Sequence, residues 1–458
     1  MKETREHWGS KLGFLLAAIG SAIGLGVLWK FPYTVGQNGG GYFLIAFLLC
    51  VLVIGIPVFV AELLLGRHSQ KAAILAFESL APQKPFWKIS GWLSVLSSFL
   101  IMSFYSVISG YGLSYVLMSL TKFYDGKSAL EVAKTYELLA SSGDISILWH
   151  FLFTAITMSI VFSGVRKGIE FWSKIMTRAL FVILFALFLF STTLDGFKEA
   201  FEFIFYPRIE NFHFSSVIEA LGLAFFILSL GQGIMISYGS YMRKEDNIPF
   251  MSVIVGGSVI IVAILSAMVV FPVVFSFGFT PKAGPGLIFQ TLPYLFSKLP
   301  FGLLLSIVFF ILFVFTALTS AVAFIEVVAT NLMELTKLTR KKAVLLVGTS
   351  TFLFGIPSAL AGSDSLFSEW KSIYGMNFLD NIDYLISIWI IPFAGLFTAI
   401  FVGWIMDHET AKQEFLRGHG DKRLWYPWLF LIRYVAPILI SIIILQKSGM
   451  VDLDAWIF

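Results

Sequence analysis

About eleven stretches of this chain are apolar for long enough to cross a bilayer as helices, and that excludes nearly every water-soluble fold. A spanning helix needs roughly 20 apolar residues, because lipid offers no partner to an exposed backbone amide. The stretches run over roughly 12–34, 41–66, 89–119, 147–164, 168–191, 214–241, 250–278, 302–335, 343–361, 380–405 and 424–446. The connections are short except near roughly 120–146, 192–213, 279–300 and 362–379. No low-complexity linker divides the chain, so residues 1–458 read as one all-helical transmembrane domain. Composition agrees: only 13% of residues are charged and the mean hydropathy is +0.86, too little polarity to cover a water-soluble surface. Aromatic residues reach 17%, which suits a lipid-facing surface and an interfacial belt. The net charge of +4 is no nucleic-acid signature, and no nucleic-acid partner is expected. The single cysteine, Cys50, cannot form an internal disulfide. Met1 to Lys11 are charged and lack a short apolar core with a cleavage site, so no signal peptide is expected.

Orientation follows from lysine and arginine. With the N-terminus cytoplasmic, the inside segments are Arg67 to Lys88, Arg166-Lys167, Arg243-Lys244, Lys337 to Lys342 and Lys412 to Arg423. Roughly nineteen basic residues then lie inside against about nine outside, as the positive-inside rule requires. An odd number of spans leaves the C-terminus outside.

Two spans look interrupted. The first contains Gly20-Ser21-Ala22-Ile23-Gly24-Leu25-Gly26, and the sixth Leu228-Ser229-Leu230-Gly231-Gln232-Gly233. They lie five helices apart and so cross in opposite directions, the pattern of an inverted repeat with broken helices at a midplane site. Irregular backbone at that depth persists only where it lines a cavity, and its freed N–H and C=O groups become ligands. The repeats would cover approximately 12–191 and 214–405, with an extra helix at approximately 424–446. Gly20-x-x-x-Gly24 also fits simple helix packing, but two glycine clusters in corresponding halves favour a site.

Arg5-Glu6-His7-Trp8, Gly20 to Gly26, Lys30-Phe31-Pro32 and Asn38-Gly39-Gly40-Gly41 together resemble the opening of the neurotransmitter:sodium symporter family. Phe226 to Gly233 with Ser237 to Tyr241 is similar to the family's sixth helix. Gly284-Pro285-Gly286-Leu287 and Thr291-Leu292-Pro293 resemble its loop between helices seven and eight. Ala317-Leu318-Thr319-Ser320 is similar to the eighth helix, and Asp380 to Tyr384 to the start of the tenth. The resemblance covers nearly the whole chain in order. It implies a LeuT-type 5+5 inverted-repeat bundle, broken in helices 1 and 6, that carries a small neutral amino acid with sodium by alternating access. A bacterial inner (plasma) membrane and a monomer or weak dimer would follow.

By this resemblance the second sodium site of the family falls on Gly20, Ile23, Thr316, Thr319 and Ser320. Sodium is a hard cation that takes oxygen ligands, and these positions offer carbonyls and two hydroxyls. The hydroxyls could instead bond back to their own helix. At the family's first site the expected side-chain ligands are replaced by Val27, Ile227 and Val259. A bare cation among three aliphatic side chains would cost several kcal/mol, so this site is expected to be lost and one sodium to be used. An off-by-one register would bring in Ser258 but leave Val27 and Ile227. Ala263 stands where other members carry a Glu or Ser, so no chloride is expected.

Gly24 stands where carriers of monoamines place an Asp, so the substrate must bring its own carboxylate, as an amino acid does. The resemblance puts that carboxylate on the N–H groups near Leu25 and Gly26, with the Tyr105 hydroxyl beside them. The ammonium would meet carbonyls near Ala22 and Phe226, with Ser229 nearby. The side-chain subsite would include Ser21, Ile101, Tyr105, Phe226, Gln232, Ser320 and Phe324. Phe324 shrinks the pocket and Gln232 adds a polar handle, which favours a small or modestly polar substrate. The outer gate is expected at Lys30 and Asp383, above a thin lid of Phe226 and Tyr105. The inner gate is expected at Arg5 and Glu334, supported by Trp8, Ser240 and Tyr241. Intramembrane Glu62 should brace the broken sixth helix.

An enzyme is disfavoured: no H-E-x-x-H, G-x-S-x-G or paired intramembrane Asp occurs, and the six histidines fall near helix ends or loops. A channel would not need both gate pairs. Proton-coupled or sodium-independent amino-acid transport on the same fold stays open.

Overall fold

The computed structural model describes residues 5–28, 30–279, 285–363, 369–418 and 421–451. Gly284 of the expected loop motif and His419 lie outside them. Among the described residues nine helices are long and apolar enough to cross a membrane. They are Gly41–Ser69, Pro85–Leu120, Gly143–Phe162, Val165–Ser191, Ile248–Ser276, Gly302–Thr336, Arg340–Ala359, Trp370–Ile405 and Lys422–Lys447. Two shorter apolar helices, Lys11–Ala22 and Phe214–Ile227, open the first and sixth spans. The first resumes as a single turn, Leu25–Leu28, and then Lys30–Gln37; the sixth resumes as Ile234–Gly239. These are the eleven spans in the expected order, which the helices below follow as the first to the eleventh.

The centre of the bundle is the third helix, Pro85–Leu120, against the eighth, Gly302–Thr336. The third presents small buried residues along its length, among them Gly91, Ser94, Ser98 and Gly112, so its backbone approaches its neighbours closely. A Cβ on Gly112 would lie 2.5 Å from the Phe313 ring of the eighth helix. Several of its serines close on their own helix, as Ser106 Oγ donates to the Met102 oxygen at 2.6 Å and Ser109 Oγ to that of Tyr105 at 2.6 Å. That arrangement satisfies hydroxyls at membrane depth without water.

The connections hold more helix than expected. Ala73–Leu80, Ala129–Ser141, Phe197–Phe205 and His408–Leu416 are helices in segments read as loops. Ser128 and Glu131 cap the second of these reciprocally, a local start signal that a search for spanning lengths passes over. The tenth span breaks at Gly375, which has φ +77°, and starts again at Phe378, where the Asn377 side chain accepts from the Asp380 N–H at 2.9 Å. His150 corrects the expectation that histidines keep to helix ends: it is fully buried within the fourth helix, 3.0 Å from the Phe352 carbonyl.

The second helix, Gly41–Ser69, supports the broken sixth. A Cβ on Gly66 would lie 2.0 Å from the Ile236 carbonyl oxygen, a backbone atom that cannot yield. Gly66→Ala should therefore destabilise the bundle by about 1–3 kcal/mol, as overpacking does. The thermal midpoint of the purified protein should drop by several degrees, whereas Gly257→Ala, which meets nothing within 4 Å, should leave it in place.

Candidate functional site

The first helix stops because its backbone turns away from helix at Ile23, with φ −84° and ψ 78°. The sixth stops at a run in which Ser229, Gly231 and Gly233 all have positive φ, at +55°, +71° and +71°. Glycine takes that conformation at little cost and serine does not, so Ser229 is held there by its contacts. The two breaks lean on one another and on the eighth helix. The Ser21 carbonyl accepts from Ser229 Oγ and from Ser320 Oγ, each at 3.1 Å. The Gly20 carbonyl accepts from Thr319 Oγ1 at 2.7 Å, and that hydroxyl also reaches the Thr316 carbonyl at 2.9 Å. On the far side, Glu62 Oε1 accepts from the Gly231 N–H at 2.7 Å, the bracing position expected for it.

The oxygens of Gly20, Thr316 and Thr319 thus meet at one point between the first and eighth helices, with Ser320 one residue further on. Ile23 is buried beside them at the end of its helix. Thr319 bonds both to its own helix and across to the first, and Ser320 bonds across. Neutral oxygens from two rigid elements suit a hard monovalent cation. At the other expected ion site, Val27, Ile227 and Val259 are all buried and offer only carbon. Ser258, the off-register alternative, is partly exposed and faces away from the buried stripe that holds Val259. Ala263 is buried.

All twelve residues expected around the substrate line one narrow cavity, bounded by both breaks and by the third and eighth helices. Val27 and Ile227 complete its lining. The Tyr105 hydroxyl accepts from the Leu25 N–H at 3.4 Å, and its ring stands edge-on to Phe324 with centroids 5.6 Å apart. Gly24 leaves the space a larger side chain would fill: a Cβ there would come within 3.4 Å of Ser320 Oγ and 3.7 Å of the Tyr105 hydroxyl. A second cavity is lined by Lys30, Ser387 and Lys447, and Phe226 lines both. Phe226 is the residue the two cavities share, while Tyr105 lines the inner one.

The two expected gates differ. At the N-terminal face Arg5 donates to Glu334 and to Ser240, and its guanidinium lies 4.8 Å from the centre of the Tyr241 ring. Trp8 is buried there and donates from Nε1 to the Tyr238 carbonyl at 3.0 Å. At the opposite face Lys30 and Asp383 each take another partner. The Lys30 ammonium sits 5.4 Å from the centre of the Phe226 ring, and Asp383 accepts from Ser387 Oγ at 3.1 Å. Lysine lacks the planar fork that ties an arginine to a carboxylate, and an aromatic face competes for its point charge. The ion pair that does form here is Lys447 with Glu219 at 3.2 Å, which joins the eleventh helix to the first half of the sixth.

A further network at the N-terminal face was not anticipated. Glu326, fully buried, accepts from both terminal nitrogens of Arg340 at 2.7 and 2.9 Å and from the Tyr241 hydroxyl at 2.5 Å. An acid inside the apolar eighth helix, two turns before Glu334 and on the same face, was a readable signal. Outside the membrane, Glu414 is held below the ordinary carboxylate range: burial works against its charge, but His68, Arg67 and Arg417 outweigh it.

Comparison with known proteins identifies the family and the fold. A profile of the sodium:neurotransmitter symporter family matches residues 5–127 and 123–454. An uncharacterized sodium-dependent transporter of Bacillus subtilis is 37% identical over 447 residues, covering 97% of this chain and 98% of its own. The sodium-dependent neutral amino acid transporter B(0)AT2 of Bos taurus is 31% identical over 302 residues, covering 60% of this chain and 41% of its own. The crystal structure of MhsT in complex with L-phenylalanine superposes with a TM-score of 0.89 at 38% identity, covering 97% of this chain and all of that one. These matches run the length of the chain, so the protein is a multi-pass membrane transporter, not an enzyme, and belongs to the sodium:neurotransmitter symporter family.

Proposed function

We propose that this transporter is a symporter of a small neutral amino acid, driven by one sodium ion per cycle and working by alternating access. The observation that carries the reading is the junction of the two helix breaks: one cavity receives both, and hydroxyls of the eighth helix reach the freed carbonyls beside it. Gly20, Ile23, Thr316, Thr319 and Ser320 hold the sodium. The substrate carboxylate takes the N–H groups near Leu25 and Gly26 at the positive end of a half-helix, with Tyr105 beside them. Its ammonium takes carbonyls near Ala22 and Phe226. Gly24 supplies no countercharge for an amine, so a substrate carrying its own carboxylate completes the site. That B(0)AT2 is named for neutral amino acids and MhsT is seen with phenylalanine supports the substrate class.

The single ion rests on Val27, Ile227 and Val259. A sodium ion there would exchange its water shell for carbon, with nothing to offset the loss. No chloride is needed, since Ala263 offers neither charge nor hydroxyl. With the N-terminus cytoplasmic, the Arg5–Glu334 pair closes the inner face of a bacterial inner membrane.

Three outcomes follow. Replacing Thr319 and Ser320 together by Ala should abolish sodium-dependent binding in a scintillation proximity assay, and unchanged binding would refute this ion site. Uptake into proteoliposomes should depend on sodium with a Hill coefficient near one; a value near two would restore the first site, and uptake undiminished without sodium would favour proton coupling. Arg5→Ala should loosen the inner closure. With Cys50 replaced by Ala, a cysteine introduced at Ser237 should react about tenfold faster with a membrane-impermeant maleimide from the cytoplasmic side, equivalent to ~1.4 kcal/mol lost from the closed state.

A further inference from the structure

Gln232 is the one side chain of the inner cavity with a buried polar atom that finds no hydrogen-bond partner. Its backbone is fixed: it lies between Gly231 and Gly233, and its carbonyl accepts from Ser98 Oγ at 2.6 Å. Its side chain is 1% exposed and lines the cavity, yet its Oε1 has no hydrogen-bond partner. The other polar side chains of the lining are engaged. Ser21 Oγ donates to the Ala18 carbonyl at 3.0 Å, Ser229 and Ser320 donate to Ser21, and the Tyr105 hydroxyl holds the Leu25 N–H. A buried amide without a partner is costly to keep, and nothing in the packing requires it, because an apolar side chain of similar length would fill the same space.

We propose that Gln232 reads the substrate's side chain, and that the substrate is a small α-amino acid with a hydroxyl or amide on that side chain. The inference rests on the amino-acid reading of the cavity given above. A carboxamide presents an acceptor and, turned over, a donor. A hydroxyl satisfies either, and a methyl group of the same size satisfies neither. Ile101 and Phe324, which share the lining, limit the bulk that can accompany the polar group. A site built to pair with a polar group rejects the analogue lacking it much more strongly than an apolar pocket rejects an added hydroxyl.

Threonine and valine differ by that one exchange, as do serine and alanine by the presence of the hydroxyl. The test is competition by each of the four against sodium-dependent uptake in proteoliposomes holding the full chain. Threonine should compete at least about tenfold better than valine, and serine better than alanine. In Gln232→Met, a near match in length, the threonine-to-valine ratio should fall to about one or below. If the wild type takes valine as well as threonine while transporting amino acids with sodium, this assignment fails and the symporter reading stands. If the Gln232→Met ratio equals that of the wild type, Gln232 is not the reader. If no amino acid drives sodium-dependent uptake, both readings fall together. Should the variant not fold, the two wild-type ratios decide alone.

Discussion

Everything in this structure depends on how unpaired backbone is kept satisfied in the middle of a membrane. Breaking a helix there frees several N–H and C=O groups that lipid cannot solvate. Here the two breaks answer each other. Ser229 in one break reaches the Ser21 carbonyl of the other, while Thr319 and Ser320 of the eighth helix reach the Gly20 and Ser21 carbonyls from the side. Glu62 takes the Gly231 N–H behind them. The groups that stabilise the breaks are the same groups that can bind an ion or a substrate. Stability and binding capacity are therefore built from one set of atoms, and the apolar shell exists to hold that set at depth.

How much of this was legible follows from physics rather than from luck. The spans were readable because lipid demands roughly 20 apolar residues and tolerates few exceptions. The breaks were readable because the sixth needs positive φ, which calls for glycine at Gly231 and Gly233. The twelve cavity residues came from the resemblance, position by position; no periodicity could have brought Ile101, Gln232 and Phe324 to one space. The short connecting helices escaped because their signals are local caps and mixed polarity, seen in Ser128 with Glu131. The contacts of Lys30 were not legible for a different reason. A charge in a sequence has no partner until the fold supplies distances, and here the Lys30 ammonium lies over the Phe226 ring while Asp383 takes the Ser387 hydroxyl.

Charge is distributed unevenly between the two faces. At the N-terminal face Arg5, Glu334, Glu326, Arg340 and Tyr241 form a largely buried, multiply bonded group that ties the start of the chain to the eighth and ninth helices. At the other face one partly exposed pair, Lys447 with Glu219, holds the first half of the sixth helix. Partly exposed pairs contribute little and are screened by salt, whereas breaking a buried network leaves uncompensated charge. The charged contacts of the two faces thus differ in strength by construction, and the stronger set stands at the N-terminal face.

Phe226 lines two cavities while its ring carries the Lys30 ammonium on its face. Reorientation of one aromatic side chain needs no helix to move and belongs to a far faster class of motion than domain rocking. Joining the two chambers is therefore a local event laid over a slow global one. The time a solute waits on that side would be set by the electrostatic hold of a single lysine on a single ring, and so would respond to ionic strength even for a solute without net charge.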